Sequence, residues 1–398
     1  MFVSDLALDW FRSYRNLVLA LEPGVSVFWG QNGHGKTNLL EALYYLSVLS
    51  SHRVSAALML PTQNPECENR VAVIRARVRY ESETGKEHSD LLELEVLPGH
   101  ANRAMINRNR ARPRDLLGHL STVMFAPEDL ALINGDPSMR RGFLDTVNLQ
   151  LRPAYAAVLS EYAKVARQRG AYLKDVAKRR ATIDEAQLSV WDEAFIPPAC
   201  QIMLARRRLL DDLGEYLPQI YGQISSETPT LQLGYASSVS KTLELDLSQA
   251  EEMFSHPEEL GENMRAALLR RRSDEARRGV NLVGPHRDEV EVMLHELPVK
   301  GYASHGETWS VALALRLAQF YLLKDRLGDV PVLLLDDVFS ELDGARRAAL
   351  LGAIKVADQV LITAAMGSEL PEELDARFYD VLMDESRFSH VSKREVAS

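Results

Sequence analysis

Residues 30–37 read Gly30-Gln31-Asn32-Gly33-His34-Gly35-Lys36-Thr37, a complete G-x-x-x-x-G-K-T phosphate-binding loop. An apolar β-type run, residues 25–29, leads into it, and a helix-like stretch over 36–50 leads out through Asn38. That context constrains the fold more than anything else in the chain. Glycines let successive backbone N–H groups curl around a β-phosphate, and Lys36 neutralises charge on the β/γ oxygens. Thr37 offers a hydroxyl to Mg²⁺, and the helix turns its positive end to the anion. The loop alone predicts a bound nucleotide; ATP with Mg²⁺ is expected once the acids below are added.

A second run supplies what the loop lacks. Four apolar residues, Val332-Leu333-Leu334-Leu335, end in Asp336 and Asp337. A buried strand ending beside the loop brings an oxygen ligand to Mg²⁺, and Asp336 is the candidate, directly or through water. Asp337 is the candidate catalytic group with Lys36; it either orients the attacking water or deprotonates it. Two like charges this close repel, so their ionisation depends on the metal.

At 398 residues the chain is long enough for two or three domains, and it has no internal repeat. The first 150 residues carry β-patterned runs at 2–8, 17–21, 71–80, 90–97 and 121–125. Apolar residues then recur at helical spacing from Tyr155 to Val176, and a second helical region covers 188–221, where Pro197-Pro198 predicts a break or kink. A further helix fits 257–278. After it the rhythm is α/β, with an amphipathic helix over 307–327, a strand over 330–335, a helix over 344–354 and a strand over 359–363. Continuous apolar strands alternating with helices predict a parallel sheet covered on both faces. We expect an α/β head made of residues 1–150 and 279–398, interrupted by a helical lobe over 151–278.

Net charge is −10, with a pI near 5.6, which argues against indiscriminate coating of nucleic acid. Arginines and lysines nonetheless cluster at 103–114, 167–180, 206–208 and 270–278. Each cluster alone reads as a solvated face; four on an acidic chain favour a DNA-contacting surface, with Arg110, Arg112, Arg179 and Arg180 as candidates. Cys67 and Cys200 stand far apart without metal-ligand spacing, so a reducing cytoplasm is expected. No apolar run approaches the ~18 residues that span a bilayer, and no membrane partner is expected.

Val338-Phe339-Ser340-Glu341-Leu342-Asp343 resembles the S-x-L-D loop of the ATP-binding-cassette superfamily, which follows the second acid. Ser304-His305-Gly306-Glu307, just before a helix, is similar to that superfamily's signature. The resemblance implies that Ser304, Gly306 and Glu307 serve the γ-phosphate of ATP held by a second subunit's loop. It also implies that Asp343 faces that subunit, that Thr363 occupies the switch position, and that Glu128 senses Mg²⁺ or the attacking water. Glu307 in place of Gln is closer to the chromosome-maintenance and DNA-repair branch than to membrane transporters.

Further stretches resemble one bacterial family, RecF. They are Leu6-Ala7-Leu8-Asp9-Trp10-Phe11-Arg12-Ser13-Tyr14, the P-E-D-L block Pro127-Glu128-Asp129-Leu130, Arg140-Arg141-Gly142-Phe143-Leu144-Asp145, and Gly284-Pro285-His286-Arg287-Asp288. The likeness runs in order from residue 1 to about 365. It implies an ATPase head like that of the structural-maintenance proteins without their long arms, and Arg12 near the nucleotide. It also implies an ATP-clamped homodimer on gapped, duplex or single-stranded DNA, weak DNA-stimulated hydrolysis that releases it, and work with RecR and RecO to help RecA assemble after DNA damage, within the SOS response. The run Gly306-Glu307-Thr308-Trp309 departs from the Gln-rich stretch common in the family. Two other functions stay open: the ATPase subunit of a transporter, or an ATP-regulated nuclease.

Overall fold

The computed structural model describes residues 1–51, 60–62, 71–81, 85–180, 182–225, 231–367, 370–371 and 373–394. Cys67, counted above, lies outside them. The chain divides into two units, one of Met1–Leu130, Gln219–Thr228 and His305–Ser398, the other of Ala131–Pro218 and Pro229–Ser304. Boundaries read from sequence at 150 and 278 thus move to 130 and 304. Helix Pro137–Leu151 belongs with the second unit because Arg140 pairs with Glu289 (2.8 Å) and Arg141 donates to the Asp288 carbonyl (2.7 Å).

In the first unit, a six-stranded sheet runs in the order Ser389–Lys393, Ala376–Met383, Gly24–Gly30, Gln359–Ala365, Val332–Asp336, Thr122–Phe125. Its strands are parallel except Ser389–Lys393. Every residue of Val332–Asp336 is buried, as a continuous apolar run in a doubly covered sheet requires. An antiparallel sheet adds the order Tyr14–Ala20, Phe2–Phe11, Ala72–Glu81, Glu87–Val96, Arg103–Ile106, Asn109–Ala111. Helix Lys36–Val48 packs between the two sheets, so Leu39, Leu40, Leu43 and Leu46 share one core with Leu6, Leu8, Ile74, Val332 and Leu334. Helix His305–Leu327 is likewise buried nearly all round, from Thr308 through Phe320, rather than amphipathic as its sequence suggested.

The second unit packs helices Tyr155–Arg179, Glu185–Ile224 and Pro257–Arg278 around Tyr162, Phe195, Met203, Met264 and Val283. Helix Glu185–Ile224 continues through Pro197, Pro198 and Pro218, so the break that was one expectation at Pro197-Pro198 does not occur. Two adjacent prolines withhold only two N–H donors, while Phe195, Ile196, Ala199 and Cys200 around them are buried. Tertiary burial overrides the local preference. A three-stranded sheet, Leu297–Pro298, Glu289–Leu294, Leu231–Ala236, completes the unit.

The run Gly284–Asp288 is a brace, buried at Gly284, Pro285 and Asp288 and exposed at Arg287. Tyr162 donates to His286 Nδ1 (2.5 Å), while His286 Nε2 faces the Asn281 carbonyl (3.2 Å). A carbonyl only accepts, so Nε2 carries the proton and neutral Nδ1 takes the phenol. Burial drives the His286 pKa down to about 4, helped by Arg287, Arg141 and Arg169 against the Asn281 contact. An unfolded His takes up its proton near pH 6.5, so the folding stability His286 contributes is present above that value and is lost as pH falls towards 4. The loss should approach ~3 kcal/mol. Urea unfolding at pH 7 and pH 4.5 should show this slope in the wild type and a flatter one in His286→Gln; equal slopes would refute it.

Candidate nucleotide site

Strand Gly24–Gly30 delivers the loop and helix Lys36–Val48 receives it. Gly35 stands in the left-handed region (φ +95°) as the helix N-cap. A Cβ there would lie 2.3 Å from Ser389 Oγ and 2.5 Å from Ser13 Oγ, and one on Gly30 2.3 Å from the Val381 carbonyl oxygen. The loop is therefore walled from behind by Ser13 and Ser389, whose hydroxyls bond each other (2.7 Å). Ser389 Oγ also donates to the His34 carbonyl (2.7 Å), and Asn38 Nδ2 donates to Ser13 Oγ (2.9 Å). Tyr14 hydroxyl holds the Gly35 carbonyl (3.1 Å). Lys36 Nζ bonds the carbonyls of Gly30 (2.8 Å) and Gln31 (2.9 Å), with Asn32 Oδ1 at 3.5 Å. Burial lowers its pKa, while Asp337 and Asp336 push it back up.

Sheet order brings the second half in. Gln359–Ala365 lies between the loop strand and Val332–Asp336, with Thr363 level with Asp336 on one side and Phe28 on the other. Asp336 Oδ1 accepts from both Thr37 Oγ1 (2.9 Å) and Thr363 Oγ1 (2.6 Å). Thr37 Oγ1 and Asp336 Oδ1 are both hard oxygen donors and would hold Mg²⁺ here, Asp336 directly or through water. Among the described residues no group of three or more His, Cys, Asp or Glu gathers for a metal, which suits an ion held by one or two protein oxygens and by phosphates. Asp337 is left-handed (φ +51°), its N–H held by Thr363 Oγ1 (3.0 Å) and the Thr363 carbonyl (3.2 Å). Thr363 thus touches both acids, through the Asp336 carboxylate and the Asp337 N–H.

Arg12 grips Glu41 of the loop helix with two nitrogens (Nε–Oε2 2.8 Å, Nη2–Oε1 2.6 Å), and Glu41 is fully buried. Its first task is to tie the turn after strand Phe2–Phe11 to that helix. Glu128 is exposed on the turn Pro127–Leu130, which follows strand Thr122–Phe125. Its neighbour Asp129 is buried and anchored by Arg316 (2.7 Å) on helix His305–Leu327. Gly306 and Glu307 lie in the first turn of that helix, and Ser304 just precedes it. Asp343 caps helix Gly344–Val356 by accepting from Arg346 N (3.1 Å).

The arginine clusters sort by partner. Arg169 and Arg206 are buried in ion pairs with Asp192 and Glu275, and with Asp145. Two of the candidate DNA contacts are also engaged, Arg112 with Asp115 (3.0 Å) and Arg179 with Asp175 (2.9 Å). Arg110 and Arg180 stand exposed. So do Lys164, Arg167, Lys174 and Lys178, which fall on one stripe of helix Tyr155–Arg179. Sequence reasoning missed Glu41, Ser13, Ser389 and Arg346 because their significance comes only from pairings across the chain.

A phosphate loop, a strand-borne acid pair one strand away and an added antiparallel sheet define an ATP-binding-cassette-type ATPase head of the SMC kind. The family RecF/RecN/SMC N terminal domain matches residues 2–390. A Beutenbergia cavernae protein named DNA replication and repair protein RecF is 44% identical, over 96% of this chain and 98% of its own length. One of the same name from an Arthrobacter species is 42% identical, over 97% and 99%. The solved structure of the recombination mediator protein RecF-ATPrS in the RecFOR pathway superposes with a TM-score of 0.83 at 26% identity, covering 99% of this chain and 98% of that one. An SMC head bound to the C-winged helix domain of ScpA shares the fold, at TM-score 0.52 and 16% identity. The chain belongs to the RecF family. Among the described residues no helix is long and apolar enough to cross a membrane.

Proposed function

We propose that this chain is a weak, Mg²⁺-dependent and DNA-stimulated ATPase of recombinational repair in the cytoplasm. It closes as an ATP-bound homodimer on gapped or duplex DNA, helps RecA assemble together with RecR and RecO, and leaves on hydrolysis. The carrying observation is the single oxygen of Asp336 that accepts from Thr37 and Thr363 while Asp337 stands beside it. Loop N–H groups and Lys36 hold the phosphates, and Thr37 with Asp336 holds Mg²⁺. When bound, Mg²⁺ neutralises phosphate charge as the γ-phosphoryl leaves. Asp337 orients the attacking water and takes its proton, with its backbone pinned by Thr363. Ser304, Gly306 and Glu307 of a second copy complete the γ-phosphate site, and Asp343 and Glu128 line the approach.

Exposed Lys164, Arg167, Lys174 and Lys178 give the reading a phosphate-contacting stripe, with Arg110 and Arg180 as further cations. Titration of single-stranded, duplex and gapped DNA with and without ATP should show tighter binding with ATP, most strongly on gapped or duplex forms. Affinity should fall steeply with salt, by about one unit of log–log slope per phosphate contact. ATP-independent, salt-insensitive binding would sink the clamp. The transporter alternative lacks any supporting observation, and for the nuclease alternative no cluster of three or more His, Cys, Asp or Glu gathers among the described residues.

A further inference from the structure

The geometry points to Arg346 as a positioning residue that fixes the S-x-L-D run to the signature turn, an inference that rests on the composite-site reading above. The Arg346 guanidinium bridges two segments distant in sequence. Its Nη1 meets Asp343 Oδ2 (3.1 Å), its Nε donates to Ser310 Oγ (3.0 Å), and its Nη2 donates to the Gly306 carbonyl (2.7 Å). All three nitrogens are engaged, and the side chain is only 16% exposed.

Helix stability does not account for this placement. Arg346 sits in the first turn of helix Gly344–Val356, and its guanidinium reaches the first turn of helix His305–Leu327. A helix N-terminus repels a cation, by about 0.3–1 kcal/mol at an exposed site. Here one cation stands at two such ends and is held by an ion pair with Asp343. Gly306 is shaped to the contact as well: a Cβ there would lie 3.0 Å from Arg346 Nη2. A planar fork with fixed donor directions makes these three bonds at once, whereas a lysine point charge cannot.

The consequence concerns a second copy of the chain. In the composite site, Gly306 belongs to the turn that meets the other subunit's γ-phosphate, and Asp343 faces that subunit. Arg346 makes them one rigid surface, so the γ-phosphate contact and the S-x-L-D contact engage together.

The test mixes full-length variants in equal amounts and measures ATPase on DNA. Lys36→Ala with Ser304→Ala is the control, since one working site per heterodimer should return. Arg346→Ala alone should bind a fluorescent ATP analogue within about threefold of wild type, yet lose about 10²-fold in hydrolysis. Mixed with Lys36→Ala it should regain activity, because its intact loop meets an intact signature. Mixed with Ser304→Ala it should not, because both composite sites then carry a defective face. Arg346→Lys should recover little. A variant that merely misfolds complements neither partner, and a residue acting on its own nucleotide complements Ser304→Ala instead; either pattern overturns the inference, as does undiminished activity of Arg346→Ala. If the control mixture stays dead, the composite site itself is wrong and the Arg346 inference falls with it. With the control active, failure with Lys36→Ala removes only the role of Arg346.

Discussion

Asp337→Asn should bind ATP about as well as the wild type and hydrolyse it about 10²–10⁴-fold more slowly. Asparagine tolerates the left-handed conformation that Asp337 adopts (φ +51°), and the two bonds from its backbone N–H to Thr363 are independent of the side chain. What disappears is the charged oxygen proposed to align and deprotonate water. Asp336→Asn makes a sharp contrast. Its amide oxygen can still accept from Thr37 and Thr363, so the sheet-to-loop link survives, but the charge that favours Mg²⁺ is gone. Both variants remove a charge that counters burial at Lys36, whose pKa moves further down. Single-turnover hydrolysis and ATP binding with and without Mg²⁺ separate the cases. Asp337→Asn should keep Mg²⁺-dependent binding and lose turnover, and Asp336→Asn should lose both. Turnover by Asp337→Asn within about threefold of wild type would strip Asp337 of its role.

Both halves of the nucleotide site were legible because each is a local signal: a glycine loop between strand and helix, and an acid pair closing an apolar strand. Residues 257–278 read as a helix for the same reason, and the helix spans Pro257–Arg278. Signals failed where meaning depends on distant partners. Strands Ala376–Met383 and Ser389–Lys393 escaped notice, yet the second carries Ser389, which walls the phosphate loop. Pro197-Pro198 looked like a break because burial of Phe195 and Ala199 is invisible in one dimension. Arg12 was placed near the nucleotide by resemblance alone, and its bidentate hold on buried Glu41 appears only in the fold. Counting arginines was the least reliable guide, because Arg169 stood inside a cluster read as a DNA-contacting face.

Arg169 carries the second large effect, on stability. It is fully buried, with Nε on Asp192 (2.8 Å), Nη2 on Glu275 (2.6 Å) and Nη1 on Asn281 Oδ1 (2.7 Å), and its guanidinium lies 5.5 Å from the Phe195 ring centre. Helices Tyr155–Arg179, Glu185–Ile224 and Pro257–Arg278 each contribute one of the three charges, so the network ties the second unit together. Arg169→Ala leaves Glu275 fully buried and held by the Leu282 N–H (2.7 Å), while Asp192 keeps Arg272 (2.8 Å). Removing one member of a buried charge network costs about 3–5 kcal/mol, because the remaining charge is stranded in low dielectric. Arg169→Met with Glu275→Leu removes both charges at similar volume and should recover much of that loss. Amide hydrogen exchange across the three helices reads the unit directly, without assuming that the whole chain unfolds in one step. Arg169→Ala should lower protection in all three. An unchanged pattern, or a double variant less protected than Arg169→Ala, would show that the network does not hold these helices together.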